Sequence, residues 1–161
     1  MLPVRVIQLT QGQYTIIDPE EWLRSSGYTW HANEHKNGFY ACTNIPKPGG
    51  GYTKLYLHTL ISGFARVDHE NRDPLDNRKQ NLRDATQAQN CMNRGRRSDN
   101  NSGHVGVNWW PRLGKWGANI GVDGSLKHLG VFADKQDAID ARHAAAAEYH
   151  GEFAVRCCPT D

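Results

Sequence analysis

Residues 64–94 read FARVDHENRDPLDNRKQNLRDATQAQNCMNR, and the fold prediction starts from this stretch. Residues 64–68 are typical of a strand, which would deliver Asp68 and His69 side by side at its end. A polar loop rich in Asp, Asn and Pro follows, and residues 82–85 are typical of a second short strand. The pattern therefore predicts a small hairpin with an acid and an imidazole at one end.

A helix is predicted directly after this hairpin. Thr86 and Gln89 form a capping-box pattern, in which each side chain hydrogen-bonds the backbone of the other residue. The helix should therefore begin at about Gln87 and carry Asn90 on its first turn. The Asn90 amide could then point back toward the hairpin.

The spacing of four polar residues resembles a known nuclease family. Asp68-His69 is followed by eleven residues, then Asn81, then eight residues, then Asn90. This arrangement, with the flanks LHTLI, LDNRKQNLRDAT and IQLTQGQYTIID, resembles the HNH endonucleases, in the branch common among phage-encoded and homing nucleases. The resemblance implies a ββα-metal core over residues 64–94, within an HNH endonuclease domain spanning residues 1–94.

The family resemblance implies a role for each of the four residues. His69 would be the general base, Asp68 and Asn90 would hold Mg²⁺ or Mn²⁺, and Asn81 would orient the loop that carries His69. These residue types suit the chemistry, because imidazole is largely neutral near pH 7 and hard oxygen ligands suit Mg²⁺. A lone Asp-His pair would instead be an ordinary surface pair, and His58 could contact phosphate or be structural.

Three functions compete at this stage. The first is an endonuclease that hydrolyses DNA phosphodiester bonds with one divalent metal, and a monomer, which is favoured over a homodimer, would nick one strand. The second is a DNA-binding or regulatory protein with an inactive HNH centre, and the intact set of four residues argues against it. The third is an RNA-directed nuclease, which a major-groove-binding module would disfavour.

The N-terminal region is predicted to be rich in short strands. Residues 1–57 contain β-branched and aromatic runs separated by Gly, Pro and Asn turn signals. Asp18-Pro19 should open a short helix, with Asp18 as its N-cap. Another short helix should begin at His58 and end at Gly63.

Positive charge is concentrated around the predicted helix. Residues 78–97 contain six cations and one anion. Such a run is either a solvated face or a match for a polyphosphate backbone. The cations expected to contact DNA, some of them in a basic linker over residues 95–103, are Arg78, Arg94, Arg96 and Arg97.

Residues 104–155 form a second predicted unit, followed by a tail over residues 156–161. Three alternating segments predict strands, and apolar residues at helical spacing predict a helix over residues 134–150. The unit resembles the APETALA/ethylene-response-factor DNA-binding domain, which implies a three-stranded sheet that docks in the major groove of double-stranded DNA. The implied contacts are Asn108, Trp110, Asn119 and His128 on the outer face, and Arg112, Lys115 and Lys127 near phosphate.

This unit departs from the plant pattern at several positions. Arginines that the plant domains use are replaced here by Val105, Asn108, Trp110 and Gly121, so DNA docking is a firmer expectation than base-specific readout. Trp116 is expected in the core. Of the adjacent residues Trp109 and Trp110, one should be buried and the other exposed.

The bulk composition limits the class of protein. The chain has 161 residues, with 38% hydrophobic and 22% charged residues, which is typical of a globular protein. The predicted strands and helices make α+β the expected fold class. No apolar run is long enough to cross a membrane. The four cysteines form no CxxC pair, so a structural zinc site is not predicted. A cytoplasmic protein of a bacterial or phage-infected cell is expected, with no membrane partner.

Overall fold

The computed structural model describes residues 3–36, 38–96 and 99–154. It divides into two compact units, Met1–Ala85 and Thr86–Asp161. The division lies before the predicted domain end at residue 94. The predicted DNA contact Arg97 and the tail over residues 156–161 fall outside the described residues.

The described residues of the first unit contain short strands paired with their neighbours along the chain, and two short α-helices. A 3-10 turn over Pro19–Glu21 leads into the first helix. In chain order the elements are β1 Arg5–Gln8, β2 Tyr14–Ile17, α1 Trp22–Ser25, β3 His31–His35, β4 Gly38–Pro46, β5 Tyr52–Tyr56, α2 Leu57–Ser62, β6 Val67–His69 and β7 Leu82–Asp84.

Three antiparallel sheets make up the β structure of this unit: β1–β2, β3–β4–β5 and β6–β7. In the three-stranded sheet Ala32 pairs with Ala41, and both face the core because side chains alternate between the faces of a strand. One hydrophobic cluster joins that face to β1–β2, α2 and the hairpin. Its buried members are Leu9, Ile17, Trp30, Ala32, Ala41, Leu57, Ile61 and Leu82.

Two local predictions for this unit need correction. The strand expected over residues 64–68 is β6, Val67–His69, because its partner β7 has only three residues to pair with it. Asp18 lies at the predicted N-cap position but makes no side-chain cap hydrogen bond. Its Oδ2 instead accepts from the backbone N–H of Lys79 at 2.7 Å. A local cap signal was thus overridden by a contact with a distant segment.

Gly63 ends α2 as predicted. Its φ of 72° is left-handed, a conformation that glycine adopts at little cost, and its N–H donates to the Thr59 carbonyl. The helix begins at Leu57, one position before the predicted start. His58 therefore lies in its first turn.

The second unit contains one short helix, a three-stranded sheet and one long helix. The elements are α3 Gln87–Met92, β8 Val107–Trp110, β9 Lys115–Val122, β10 Ser125–Phe132 and α4 Lys135–His150. The Thr86–Gln89 capping box is present, and Asp134 caps α4. The sheet is antiparallel, with strand order β10–β9–β8.

One face of this sheet packs against α4. Val107, Ala118 and Ile120 alternate onto that face and meet Ala138, Ile139, Ala145 and Ala146 of the helix. Gly106 is needed beside this core, because a Cβ there would lie 2.3 Å from the Asn119 carbonyl oxygen. Its φ of 76° also favours glycine.

The described chain is thus a mixed α and β protein with four small antiparallel sheets and four α-helices. None of the described helices is long and apolar enough to span a bilayer.

Candidate functional site

Asp68 and His69 are adjacent at the end of β6, and both are buried, with 4% and 7% of their surface exposed. Asp68 pairs across the hairpin with Arg83 of β7. Arg83 Nε and Nη2 lie 2.8 Å and 2.7 Å from Asp68 Oδ2. The acid is therefore held in an ion pair. In the sequence, Arg83 was visible only as one of the six cations of residues 78–97.

Asn77 fixes the imidazole of His69. The Thr15 hydroxyl donates to the Leu75 carbonyl and so accepts from Asn77 Nδ2 at 2.7 Å. Asn77 Nδ2 also donates to the Pro74 carbonyl at 3.3 Å. Asn77 Oδ1 therefore faces His69 Nε2, at 3.4 Å.

This arrangement assigns the tautomer of His69. Because Asn77 Oδ1 is an acceptor, the nitrogen facing it must carry the proton. In the neutral ring Nδ1 then holds the lone pair. The geometry therefore makes Nδ1 the basic atom of His69.

The surroundings of His69 favour its neutral form. Burial lowers the pKa of His69 below its ordinary value of 6.5, and this effect outweighs the hydrogen bond that His69 donates to Asn77 and the nearby charges of Asp68, Asp73 and Asp76. A neutral imidazole is able to accept a proton from water at neutral pH. The ring thus meets the main requirement of a general base.

Asn81 ties the loop after His69 together. Its Oδ1 accepts from the backbone N–H of Asn71 at 2.9 Å, and its Nδ2 donates to the Asp76 carbonyl at 2.8 Å. Its own carbonyl accepts from the N–H of Glu70 at 2.9 Å. Asn81 is buried, so these bonds are shielded from water. The side chain links the residues directly after His69 to the far side of the loop.

Asp76 and Arg78 form a second ion pair inside this loop. Arg78 Nε and Nη2 lie 2.7 Å and 2.6 Å from the two carboxylate oxygens of Asp76, and Asn71 Nδ2 donates to Asp76 Oδ2 at 2.8 Å. Burial alone would raise the pKa of Asp76, but the hydrogen bonds and charge of Arg78 lower it below 3.8. Arg78, which was predicted to contact DNA, is thus engaged in holding the loop.

His58 lies against His69, which sequence reasoning did not foresee. The ring centroids are 5.3 Å apart with an edge-on geometry, and Tyr40 lies 6.2 Å from His69. Burial, with a smaller effect of His69, lowers the pKa of His58 to about 3. Burial also raises the pKa of Tyr40, with smaller effects of Tyr56 and Asp68. Near neutral pH the site therefore contains a neutral imidazole and a protonated phenol beside His69.

The donors for a divalent metal were predicted to be Asp68 and Asn90. Asn90 lies on α3 in the second unit, and its backbone N–H donates to the Thr86 carbonyl. The described residues contain no group of three or more His, Cys, Asp or Glu side chains arranged to hold a metal. A single carboxylate with water and phosphate oxygens still fits Mg²⁺, which commonly keeps several waters. The donor chemistry therefore fits this cation.

In the second unit the sheet face opposite α4 carries the predicted outer residues. Register places Asn108 and Trp110 opposite Gly117 and Lys115, and His128 opposite Asn119. His128 Nδ1 lies 3.0 Å from Asn119 Oδ1, and the rings of Trp110 and His128 stack at 5.1 Å. Trp110, Asn119 and His128 therefore form one cluster.

The two indoles of β8 differ from expectation. Trp109 is exposed and contacts Trp116 edge-on at 5.2 Å, while Trp110 is only half-buried, so neither is a buried residue. The reason is that Trp110 rests over Gly117, where a Cβ would lie 2.5 Å from the indole ring. Trp116 packs against the core, as predicted.

The predicted phosphate contacts of this unit separate into two groups. Arg112 and Lys115 are exposed, the first in the β8–β9 turn and the second on the outer side of the sheet. Lys127 lies opposite Ile120, and its Nζ sits 4.3 Å from the ring centroid of Tyr149 on α4. Lys127 is thus on the helix side, which the alternation that places His128 outward could have indicated. Arg94 and Arg96 are exposed.

Comparisons of the chain with family models, with curated proteins and with solved structures found no match.

Proposed function

We propose that the protein is a metal-dependent DNA endonuclease of the HNH type. The observation that carries the proposal is the buried, neutral imidazole of His69, oriented by Asn77 so that Nδ1 is basic and followed by a loop that Asn81 holds. The sequence resemblance supports the same assignment. The fold of the described residues is compatible with a β hairpin at the centre of such a site.

In the proposed reaction His69 Nδ1 removes a proton from water as the water oxygen attacks the phosphorus. The new phosphorus–oxygen bond replaces the bond to the leaving oxygen, which takes a proton from solvent or from the protonated imidazole. A general base of this kind typically contributes on the order of 10²- to 10⁴-fold in rate. His69 would therefore be the catalytic residue whose loss has the largest effect.

Asp68 would hold the divalent cation, with Asn90 as the second predicted ligand. When bound, Mg²⁺ or Mn²⁺ supplies positive charge for the phosphate and the leaving oxygen. Asn77 and Asn81 would act as positioning residues, because each holds either the ring of His69 or the loop behind it.

The second unit would bind double-stranded DNA through the sheet face that carries Asn108, Trp110, Lys115, Asn119 and His128. A face containing an aromatic cluster, hydrogen-bonding amides and a cation offers contacts to bases and to phosphate. Gly121 faces the same side of β9, and nothing lies within 4 Å of the position that its Cβ would take.

A DNA-binding or regulatory protein with an inactive centre is the second candidate. The observation that favours it is the Asp68–Arg83 ion pair, because a carboxylate engaged by a guanidinium is a weaker ligand for a cation. Such a protein would bind DNA without cleaving it. The two candidates therefore differ in one measurable activity.

The test is conversion of supercoiled plasmid to open circle with Mg²⁺ or Mn²⁺, with EDTA as the metal control. His69→Ala should lower the rate at least 100-fold, while His143→Ala, an exposed histidine on α4, should leave it within about 2-fold. Conversion that persists in His69→Ala would contradict the proposal. DNA binding without any conversion would establish the second candidate instead.

A further inference from the structure

One face of the β3–β4–β5 sheet packs on the core, and the opposite face carries a row of aromatic rings. Register places Asn33 opposite Tyr40, Cys42 opposite Tyr56 and Asn44 opposite Lys54. These six side chains share the face away from Ala32 and Ala41. His58 of α2 joins them by stacking on Tyr56, with ring planes 7° apart. We call His35, Tyr40, Tyr56 and His58 the imidazole–phenol strip.

The strip is continuous with the candidate active site. Tyr40 contacts His35 at 4.9 Å and His58 at 5.9 Å between ring centroids. His58 and Tyr40 in turn contact His69. An unbroken series of ring contacts thus runs from His35, which is exposed, to His69, which is buried.

The exposed end of the strip carries a cation. Lys54 Nζ donates to Asn33 Oδ1 at 2.6 Å, and Asn33 Nδ2 lies 2.5 Å from His35 Nε2. The Tyr56 hydroxyl lies 3.3 Å from His35 Nε2. Lys54 is an exposed residue, so it is accessible to an anionic ligand.

No acidic side chain faces outward with the strip, as far as the described residues of the three strands go. Glu34 is the only carboxylate in those strands, and it pairs with Phe39 on the other face. The strip face therefore carries hydrogen-bond donors, π surfaces and positive charge together. A polyanion with flat rings complements this combination, and a DNA strand is such a polyanion.

We propose that the imidazole–phenol strip binds one strand of DNA beside the phosphate to be cut. The rings contact unstacked bases and Lys54 Nζ contacts a backbone phosphate. This inference rests on the proposed function, and it adds a substrate-binding surface made of residues outside the four-residue pattern. The N-terminal sheet, which takes no part in the catalytic step, would thereby contribute to DNA binding.

The experiment measures affinity without cleavage. A fluorescein-labelled single-stranded oligonucleotide is titrated with full-length protein in EDTA, and anisotropy reports the dissociation constant. The variants are Tyr56→Ala, Tyr56→Phe, Lys54→Ala and His35→Ala. Tyr14→Ala is the matched control, because Tyr14 is an exposed tyrosine of the separate β1–β2 sheet.

Tyr56→Ala should weaken binding by about 5-fold or more, since aromatic–base stacking is lost. Tyr56→Phe keeps the ring, so its affinity should stay within about 2-fold of wild type. Lys54→Ala and His35→Ala alter exposed positions, so they keep the test valid if Tyr56→Ala unfolds. Each should weaken binding at least 2-fold, and Lys54→Ala should also flatten the salt dependence. Unchanged affinity in both exposed variants would overturn the proposal.

Plasmid nicking separates this proposal from the proposed function. If the wild-type chain cleaves, the strip variants should raise KM more than they lower kcat. If it never cleaves but the strip variants still lose affinity, the endonuclease proposal fails and the strip remains a DNA-binding surface. Cleavage with unaltered KM in every strip variant would contradict DNA binding by the strip and would leave the endonuclease proposal intact.

Discussion

The loop after His69 and the outer sheet face of the second unit are built in opposite ways. In the loop, Asn77, Asn81 and Asp76 are buried; Asn77 donates to the Thr15 hydroxyl, and Asn81 donates to the Asp76 carbonyl. On the sheet face, Asn108, Lys115 and His128 are exposed. The first arrangement suits a side chain that must hold one geometry, whereas the second suits a surface that meets a partner.

Exposed surface residues and residues of a buried polar network differ in how reliably they can be predicted from sequence. An exposed face on a strand follows from alternation, because successive side chains point to opposite sides. A buried polar network depends on contacts between distant segments, such as Thr15 with Asn77. The loop and the outer sheet face should therefore respond differently to substitution.

Removing Asp76 should have the largest effect on stability. Asp76→Ala leaves Arg78 and Asn71 without their carboxylate, and loss of one partner of a buried ion pair costs about 3 kcal/mol. Urea unfolding measures the change. Asp73→Ala is the matched control, because Asp73 is exposed in the same loop and should cost about 1 kcal/mol or less. Equal costs for the two variants would mean that the loop is not held by its ion pair.

Gly117→Ala should disturb the outer face of the second unit. The new methyl would lie 2.5 Å from the Trp110 ring, so the indole must move, at a cost of about 1–3 kcal/mol. Gly121 is the matched position, since it faces the same side of β9 with nothing within 4 Å of its Cβ. Thermal unfolding and the near-ultraviolet circular dichroism of tryptophan should change for residue 117 alone. A similar change at both positions would contradict the placement of Trp110.

Acid should destabilise the first unit through His58. Its folded pKa of about 3 lies below the value of 6.5 expected when unfolded, so below pH 6.5 the unfolded chain binds a proton that the folded chain does not. Stability should therefore fall as the pH drops from 6.5 toward 3. His58→Gln should reduce this slope in urea unfolding at several pH values. An identical slope in the variant would show that other groups cause it.

The smallest effect concerns two lysines of the second unit. Lys115→Ala should reduce the slope of log affinity for duplex DNA against log salt by about one, as expected for one lost phosphate contact. Lys127→Ala should leave the slope unchanged, because Lys127 contacts Tyr149 on the helix side. The reverse result would place the DNA on the face that packs against α4.

Short-range patterns in the sequence predicted several features that the structure contains. The Thr86–Gln89 capping box, the end of α2 at Gly63 and the outward position of Asn108 and His128 each depend on residues within a few positions. Trp110 was predicted on the correct face but with the wrong degree of burial. The alternation of side chains along β8 does not reveal that Gly117 of β9 leaves space for the Trp110 ring.

The candidate site was predicted less completely. The sequence indicated Asp68, His69 and Asn81, but it did not reveal that Arg83 holds the acid or that His58 and Tyr40 contact the imidazole. These partners come from β7, α2 and β4, which are separated along the chain and meet only through the sheets and the core. Arg78, chosen as a DNA contact from charge alone, is engaged by Asp76.

Local sequence patterns were enough to predict which residue types stand at the hairpin, where several helices start and end, and which strand faces point outward. Propensity, capping and alternation act over a few residues, so they can be worked out without knowing the fold. The basic nitrogen of His69, the pairing of the cations and the continuous strip of rings became visible in the folded chain alone. Those properties depend on burial and on distances of a few ångströms between segments far apart in the chain, because hydrogen bonds and charge interactions change steeply over that range.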